Sequence, residues 1–207
     1  DPARRLGNEY LFQLQAQQNI ETFKAKGVRK IVANCPHCFN VMKNEYPQLG
    51  GRFQVVHHTQ LLAQLISEGR LRVQDMGELW GVMVTYHDPC YLARHNDVLA
   101  APRQVIAATG AQLVEMGRHR KHTFCCGAGG GHMWVEESGG RRVNHVRTEE
   151  AASTPARLIA VACPFCLQMF EEGVGSVPTA AQKGMSVLDV AEMLERSVVR
   201  PEVRRQA

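Results

Sequence analysis

With 207 residues, 44% of them hydrophobic, and a net charge of +4, the chain can bury a sizeable core, and its composition excludes a disordered protein. No apolar run approaches the ~20 residues of a membrane-crossing helix. The densest basic stretch, Arg118-His119-Arg120-Lys121-His122, has no interleaved aromatics and reads as a solvated loop, which argues against a nucleic-acid partner.

In chain order, Val28 to Ala33 is a short, partly β-branched run that suits a buried strand. Cys35-Pro36 follows as a helix start, cysteine at the cap and proline at the first helical position. Phe39, Met42 and Tyr46 recur at helical spacing until Pro47 and Gly50-Gly51 stop the helix. Phe53 to Val56 is a second strand, with His57-His58 at its end in a core or capping role, and Thr59 to Gly69 an amphipathic helix. Gly81 to Tyr86 is a strand running into His87-Asp88-Pro89-Cys90. A helix over Ala101 to Gly110 and a weak strand at Gln112 to Glu115 come next. Leu158 to Ala162 is a strand that enters Cys163-Pro164, and Arg196 to Ala207 reads as a solvated tail. This alternation predicts an α/β fold with small, mostly parallel sheets and flanking helices.

The sequence also repeats itself. Shifted by 128 residues, Ile31 to Cys38 falls on Ile159 to Cys166 without a gap, and Leu62 to Ile66 falls on Val190 to Leu194. Two tandem modules follow: residues 1–75, truncated at the N-terminus, and residues 76–199, complete, with a flexible tail over 200–207. The same shift puts counterparts of Cys125-Cys126 about three residues before Asp1. With no initiator methionine, the expectation is a C-terminal fragment of a longer protein.

Seven cysteines, an odd number, argue against a closed disulfide framework. Their grouping suits metal binding in a reducing compartment, hence the cytoplasmic side. In the complete module Cys90, Cys125, Cys126, Cys163 and Cys166 are the candidate ligands. A Cys-x-x-Cys at a strand-to-helix turn faces two thiolates to one centre, and the helix N-terminus favours their charged form. Soft thiolates select zinc, copper(I) or iron–sulfur clusters. The vicinal pair discriminates, because neighbouring side chains diverge and suit several irons better than one tetrahedral zinc, and five thiolates exceed zinc's four. Gly127, Gly129, Gly130 and Gly131 let backbone N–H groups close on the sulfurs, one of the levers on cluster potential.

Cys90, Cys125-Cys126-Gly127 and Cys163-Pro164-Phe165-Cys166 resemble the cysteine-rich CCG domain found in the B-type and D-type polypeptides of heterodisulfide reductases and in several iron–sulfur dehydrogenase components. The wording around the motifs, including His57-His58, is most similar to long membrane-associated iron–sulfur oxidoreductases, some related to electron-transferring-flavoprotein:quinone carriers. The resemblance implies tandem domains, each with a [4Fe-4S]-type cluster, non-cubane in some members, and makes Cys35 and Cys38 two ligands of a second cluster, or of zinc, whose other ligands lie upstream. It implies an oxidoreductase whose segment here carries electrons from a flavoprotein dehydrogenase, an electron-transferring flavoprotein or an upstream cluster to a quinone or disulfide, at the cytoplasmic side of the plasma membrane. Three other readings stay open: a catalytic polypeptide that reduces a disulfide at its own cluster, a zinc-binding structural module, and a thioredoxin-type dithiol at Cys35-Pro36-His37-Cys38. His87 is expected near the cluster or orienting the turn with Asp88. His132 and Met133 could line an approach, and Trp80 and Trp134 read as packing residues.

Overall fold

The structure, a computed structural model, describes residues 1–74, 76–135 and 139–199. The expected tail over 200–207 lies outside them. A single turn, α1 (Pro2–Arg5), and a long helix, α2 (Glu9–Ala25), precede β1 (Lys30–Ala33), which runs into α3 (Pro36–Asn40). β2 (Gln54–His57) and α4 (His58–Ser67) complete the first half. The second half opens with β3 (Met83–Tyr86), α5 (Cys90–Ala93), α6 (Ala100–Ala108), β4 (Gln112–Leu113) and α7 (Val143–Ala152). It closes with β5 (Leu158–Val161), α8 (Pro164–Ser176), α9 (Pro178–Gln182), β6 (Ser186–Asp189) and α10 (Val190–Glu195).

Both sheets are parallel, as the alternation of strands and helices requires. β1 pairs with β2, Ile31 opposite Val55 and Ala33 opposite His57. The second sheet has the order β4-β3-β5-β6. Its inner strand β5, Leu-Ile-Ala-Val, is no more than 5% exposed at any residue, which is why that run reads as continuously apolar. Cys35 and Cys163 cap their helices in extended conformation, each followed by proline in the first turn. Phe39, Met42 and Tyr46 do not share one regular α-helix. After α3 the backbone loosens into a π turn at Val41–Glu45 and tightens into a 3-10 turn at Tyr46–Leu49, and Gly50 (φ 80°) ends it.

The repeat is real at the level of elements, with one correction. β1 and β5, with the helices after them, correspond at a shift of 128. Downstream the correspondence is four residues longer: His57 and Asp189 are the equivalent caps, each in a capping box, with Gln60 and with Glu192. Leu62 therefore matches Leu194 rather than Val190. A four-residue slip is about one helical turn, so the apolar stripe coincides in either register and the sequence alone favours neither.

α2 and α7 carry no strong sequence signal. On α2 only Phe12, Ala16 and Ile20 are buried, a stripe one residue wide in a Gln-rich helix; α7 buries Asn144, Arg147 and Thr148 beside Ala151. One core runs across both halves: Ala33, Phe39 and Val55 pack in the same cluster as Val84, Tyr86, Ala160 and Met193. Neither tryptophan is a core residue: Trp80 is 54% exposed and Trp134 64%. Trp80 lies over Gly110, which has φ 78° and where a Cβ would meet Trp80 Cε3 at 2.3 Å. Gly110→Ala is therefore expected to lower the unfolding free energy by at least about 1–2 kcal/mol, the cost of a left-handed non-glycine residue. Urea titration checks this; an unchanged midpoint would contradict it.

Candidate metal centre

The sheet topology brings the cysteines together. Cys35 and Cys163 stand just beyond the C-terminal ends of β1 and β5, and Cys90 opens α5 just beyond β3. This is the end of a parallel sheet where ligands gather. Cys38 and Cys166 sit three residues into the helices, on the face of the capping cysteine. Cys125-Cys126 arrives on the loop before Gly127, whose φ of 94° turns the backbone back. Gly127 N–H donates to Cys125 Sγ at 3.3 Å, Ala128 N–H to the Cys126 sulfur, and the N–H groups of Phe165 and Cys166 to Cys163.

The seven side chains form one unbroken series. Cys90 hydrogen-bonds with Cys125, Cys125 with Cys126, and Cys126 with Cys166. Cys166 hydrogen-bonds with Cys163, Cys163 with Cys35, and Cys35 with Cys38. The vicinal pair divides as its geometry demands, Cys125 toward Cys90 and Cys126 toward Cys166. The two halves of the chain meet through Cys35 and Cys163, so the Cys-Pro turns share one site. Cys126, Cys163, Cys166 and Cys35 are buried, Cys90 and Cys125 half-buried, Cys38 exposed, and none is in a disulfide.

Two of the seven thiols, Cys125 and Cys163, are drawn toward the anionic form. Hydrogen bonds from Cys126 and Cys90 pull Cys125 well below the usual thiol value, and those from Cys166 and Cys35 do the same for Cys163. The thiols that donate those bonds, Cys90, Cys126, Cys166 and Cys35, are pushed up, and so is Cys38, which donates to Cys35. So many sulfurs cannot all be anionic in a buried space unless a cation lies among them. The donor set thus fits a thiolate-bound metal centre.

A profile of the family described as "Cysteine-rich domain", CCG, matches residues 1–43 and 84–171, which include all seven cysteines. The chain belongs to the CCG family. It is 44% identical over 205 residues to an "EtfAB:quinone oxidoreductase" of Syntrophomonas wolfei, covering 96% of this chain and 28% of that protein. It is 46% identical over 201 residues to a "Probable iron-sulfur-binding oxidoreductase FadF" of Bacillus subtilis, again 96% and 28%. With the D-type polypeptide of the "Dihydromethanophenazine:CoB--CoM heterodisulfide reductase" of Methanosarcina barkeri it shares 33% identity over 187 residues, 88% of this chain and 44% of that polypeptide. The chain therefore spans less than half the length of each of these relatives.

Around the CCG cysteines lie supporting residues, of which motif reading passed over Arg103 and Arg147. Asp88, 1% exposed, receives Arg103 on both carboxylate oxygens at 2.8 Å and the Arg120 N–H at 2.7 Å. It orients the turn before Cys90, the role expected of it with His87, and also holds the basic loop, whose other charges are paired: Arg118 with Glu150 and Lys121 with Asp97. His87 is fully buried against Arg147, whose Nε lies 3.2 Å from His87 Nδ1. A ring nitrogen of His87 and the sulfurs of Cys126 and Cys166 lie within 4.8 Å of one another. His57 binds the carbonyl oxygens of Asn34, at 3.2 Å, and of Ala162, bracing both Cys-Pro turns as well as capping α4. Burial holds its pKa down at about 3.

Over the cysteines sits an aromatic rim. His37 lies 4.3 Å from the Tyr91 ring and 5.1 Å from Phe165, and Trp134 meets Phe165 edge-on at 6.1 Å. A Cβ at Gly129 would lie 3.9 Å from His37 Cε1, while Gly130 and Gly131 adopt left-handed conformations, Gly131 against Leu6. Met133 is partly buried against the cluster that contains Cys126, Cys163 and Cys166, and His132 is exposed. His37, Tyr91 and Phe165 are the residues beside cysteines in three separate motifs, and only the convergence of the two halves puts them in contact. A redox dithiol at Cys35 is not what this geometry offers: a reactive thiol needs a low pKa and access, and Cys35 is buried with its pKa raised.

Proposed function

We propose that the site holds iron–sulfur chemistry and that the chain is the electron-carrying segment of an oxidoreductase, organised as a truncated module over 1–75 and a complete one over 76–199. The observation that carries this reading is the series of seven sulfurs with a vicinal pair split between Cys90 and Cys166. Cys90, Cys125, Cys126, Cys163 and Cys166 would hold a [4Fe-4S]-type centre of cubane or non-cubane form. Cys35 and Cys38 would hold part of a second centre, or zinc. Such a centre supplies one-electron redox chemistry. The chain's own part is to supply thiolates, to close N–H groups from Gly127, Ala128 and the α8 N-terminus on sulfur, and to keep water from Cys35, Cys126, Cys163 and Cys166. Gly129 and Gly130 shape the loop that presents those groups. The contact between Cys35 and Cys163 would put the two centres within easy electron-transfer distance.

By likeness to the quinone oxidoreductase, the donor is an electron-transferring flavoprotein, another flavoprotein dehydrogenase or an upstream cluster, and the final acceptor a quinone. A quinone acceptor places the parent protein at a membrane, with this segment on the cytoplasmic side. No helix of the described residues is long and apolar enough to cross one. Exposed Cys38, together with the likeness to a heterodisulfide reductase, favours a second reading, in which a disulfide is the acceptor.

Anaerobically purified protein is expected to contain iron and acid-labile sulfide and to give a paramagnetic signal in one oxidation state. Colourless protein holding zinc without iron would sink the proposal. Turnover of a disulfide without any flavoprotein would favour the second reading.

A further inference from the structure

We infer that Arg147 fixes the tautomer of His87 so that its Nε2–H is presented to the sulfurs of the site, making His87 a hydrogen-bond donor to the centre and not one of its ligands. The inference rests on the iron–sulfur reading above.

By distance alone His87, Cys126 and Cys166 resemble three ligands of a small metal site, with their ligating atoms within 4.8 Å of one another and all three residues buried. The surroundings of the ring exclude that role. A guanidinium has donors and no acceptor. The Nε–H of Arg147 lies 3.2 Å from His87 Nδ1, so Nδ1 must present a lone pair, and a proton there would collide with the guanidinium proton. The ring hydrogen therefore sits on Nε2. A nitrogen that carries a hydrogen has no lone pair in the ring plane for a metal, and Nδ1 would have to give up Arg147 to bind one.

Arg147 is not free to leave. It is fully buried in α7, held by Glu150 at 2.8 Å and bonded to Thr123 Oγ1 at 3.4 Å. Its partner Glu150 is in turn held by Arg118. The His87 ring is fixed from its other side by the edge of Phe170, with centroids 5.0 Å apart. This matches the rule that a histidine's tautomer is set by the bond its other nitrogen makes.

His87 Nε2 is fully buried and has no hydrogen-bond partner among the described residues. A buried N–H without an acceptor is costly. A ring nitrogen of His87 lies within 4.8 Å of the sulfurs of Cys126 and Cys166, and these become strong acceptors when metal-bound and anionic. Hydrogen bonds to cluster sulfurs stabilise the more negative, reduced state and raise the potential. The cation at Arg147 acts in the same direction. Arg147 and His87 are thus positioning residues that tune the centre from beneath.

The first test needs no substitution. Hyperfine spectroscopy of the wild-type iron-loaded protein labelled with 15N-histidine is expected to show weak nitrogen coupling and a coupled proton that exchanges in heavy water. A strong coupling, that of a directly bound nitrogen, overturns the inference. His87→Leu is expected to keep the iron content of the parent while shifting the reduced-to-oxidised ratio about tenfold toward oxidised, about 59 mV for a one-electron couple. His87→Gln, which restores a donor, should recover part of that shift. Loss of iron from His87→Leu, or an unchanged potential in a variant that retains its iron, would count against it. If the protein binds zinc and no iron, the iron–sulfur reading fails separately. X-ray absorption then still decides the ligand question: a sulfur-only shell supports the inference, and a histidine nitrogen in the shell overturns it.

Discussion

Replacing Cys126 by serine is expected to abolish the paramagnetic signal of the iron-loaded protein or change its form, and to lower bound iron by more than the 10–100-fold in affinity that an outer-sphere residue typically costs. Cys126 lies inside the series. It receives a hydrogen bond from the Ala128 N–H, joins Cys125 to Cys166, and is 5% exposed. A serine there keeps the shape and loses the soft anionic donor. It also leaves a buried hydroxyl among sulfurs. Cys38→Ser supplies the contrast. Cys38 is the exposed end of the series, and it belongs to the first repeat. That variant should leave the signal of the five-cysteine centre in place and alter only what Cys35 helps to hold. Iron quantification and EPR spectra of both variants decide the matter. If Cys126→Ser keeps the parent spectrum, the ligand assignment is wrong; if Cys38→Ser erases it, the seven sulfurs serve one indivisible centre.

The two repeats contribute unequally to what the sequence discloses. The Cys-Pro turns are legible because local chemistry fixes them: an apolar β-branched run, an extended capping residue, and a proline that fits only the first helical turn. The same holds for Gly127 after the vicinal pair. Arg147 carries no such mark, since a basic residue in a polar helix reads as solvent-facing, and only tertiary packing turns it inward under His87. The meeting of Cys35 with Cys163 is also invisible in spacing. Two copies of a strand-turn-helix unit can be arranged in many ways, and the sequence distances within each copy do not constrain the distance between copies. The downstream register failed for a related reason: helical periodicity repeats each turn, so it fixes a face and leaves the shift along the axis open. His57 and Asp189 as equivalent caps would have given the better alignment, but histidine is not among the usual cap residues.

The ion pairs rank very differently once burial is considered, and the largest stability effect is expected at Asp88. Arg70 with Glu68, whose side chains are 69% and 38% exposed, contributes at most about 1 kcal/mol. Asp88 and Arg103 have side chains 1% and 10% exposed. Asp88→Ala would leave the Arg103 guanidinium stacked near Tyr86 with Glu115 and the Leu99 carbonyl as its remaining partners. Breaking a buried pair from one side costs about 3–5 kcal/mol. Glu115 is partly exposed and still neutralises the arginine, so the low end, about 3 kcal/mol, is expected. The loss does not stop at the pair. The Arg120 N–H loses its acceptor, although Thr123 can still donate to the backbone oxygen of residue 88. The loop thus loosened is the one that delivers Cys125 and Cys126. Asp88→Ala should therefore lower the urea midpoint and also speed the release of iron to a chelator, two readouts that a distant destabilising substitution such as Gly110→Ala would separate. A variant within about 1 kcal/mol of the parent would mean that Arg103 is satisfied by Glu115 alone, and that the tether beneath the vicinal pair runs through Thr123.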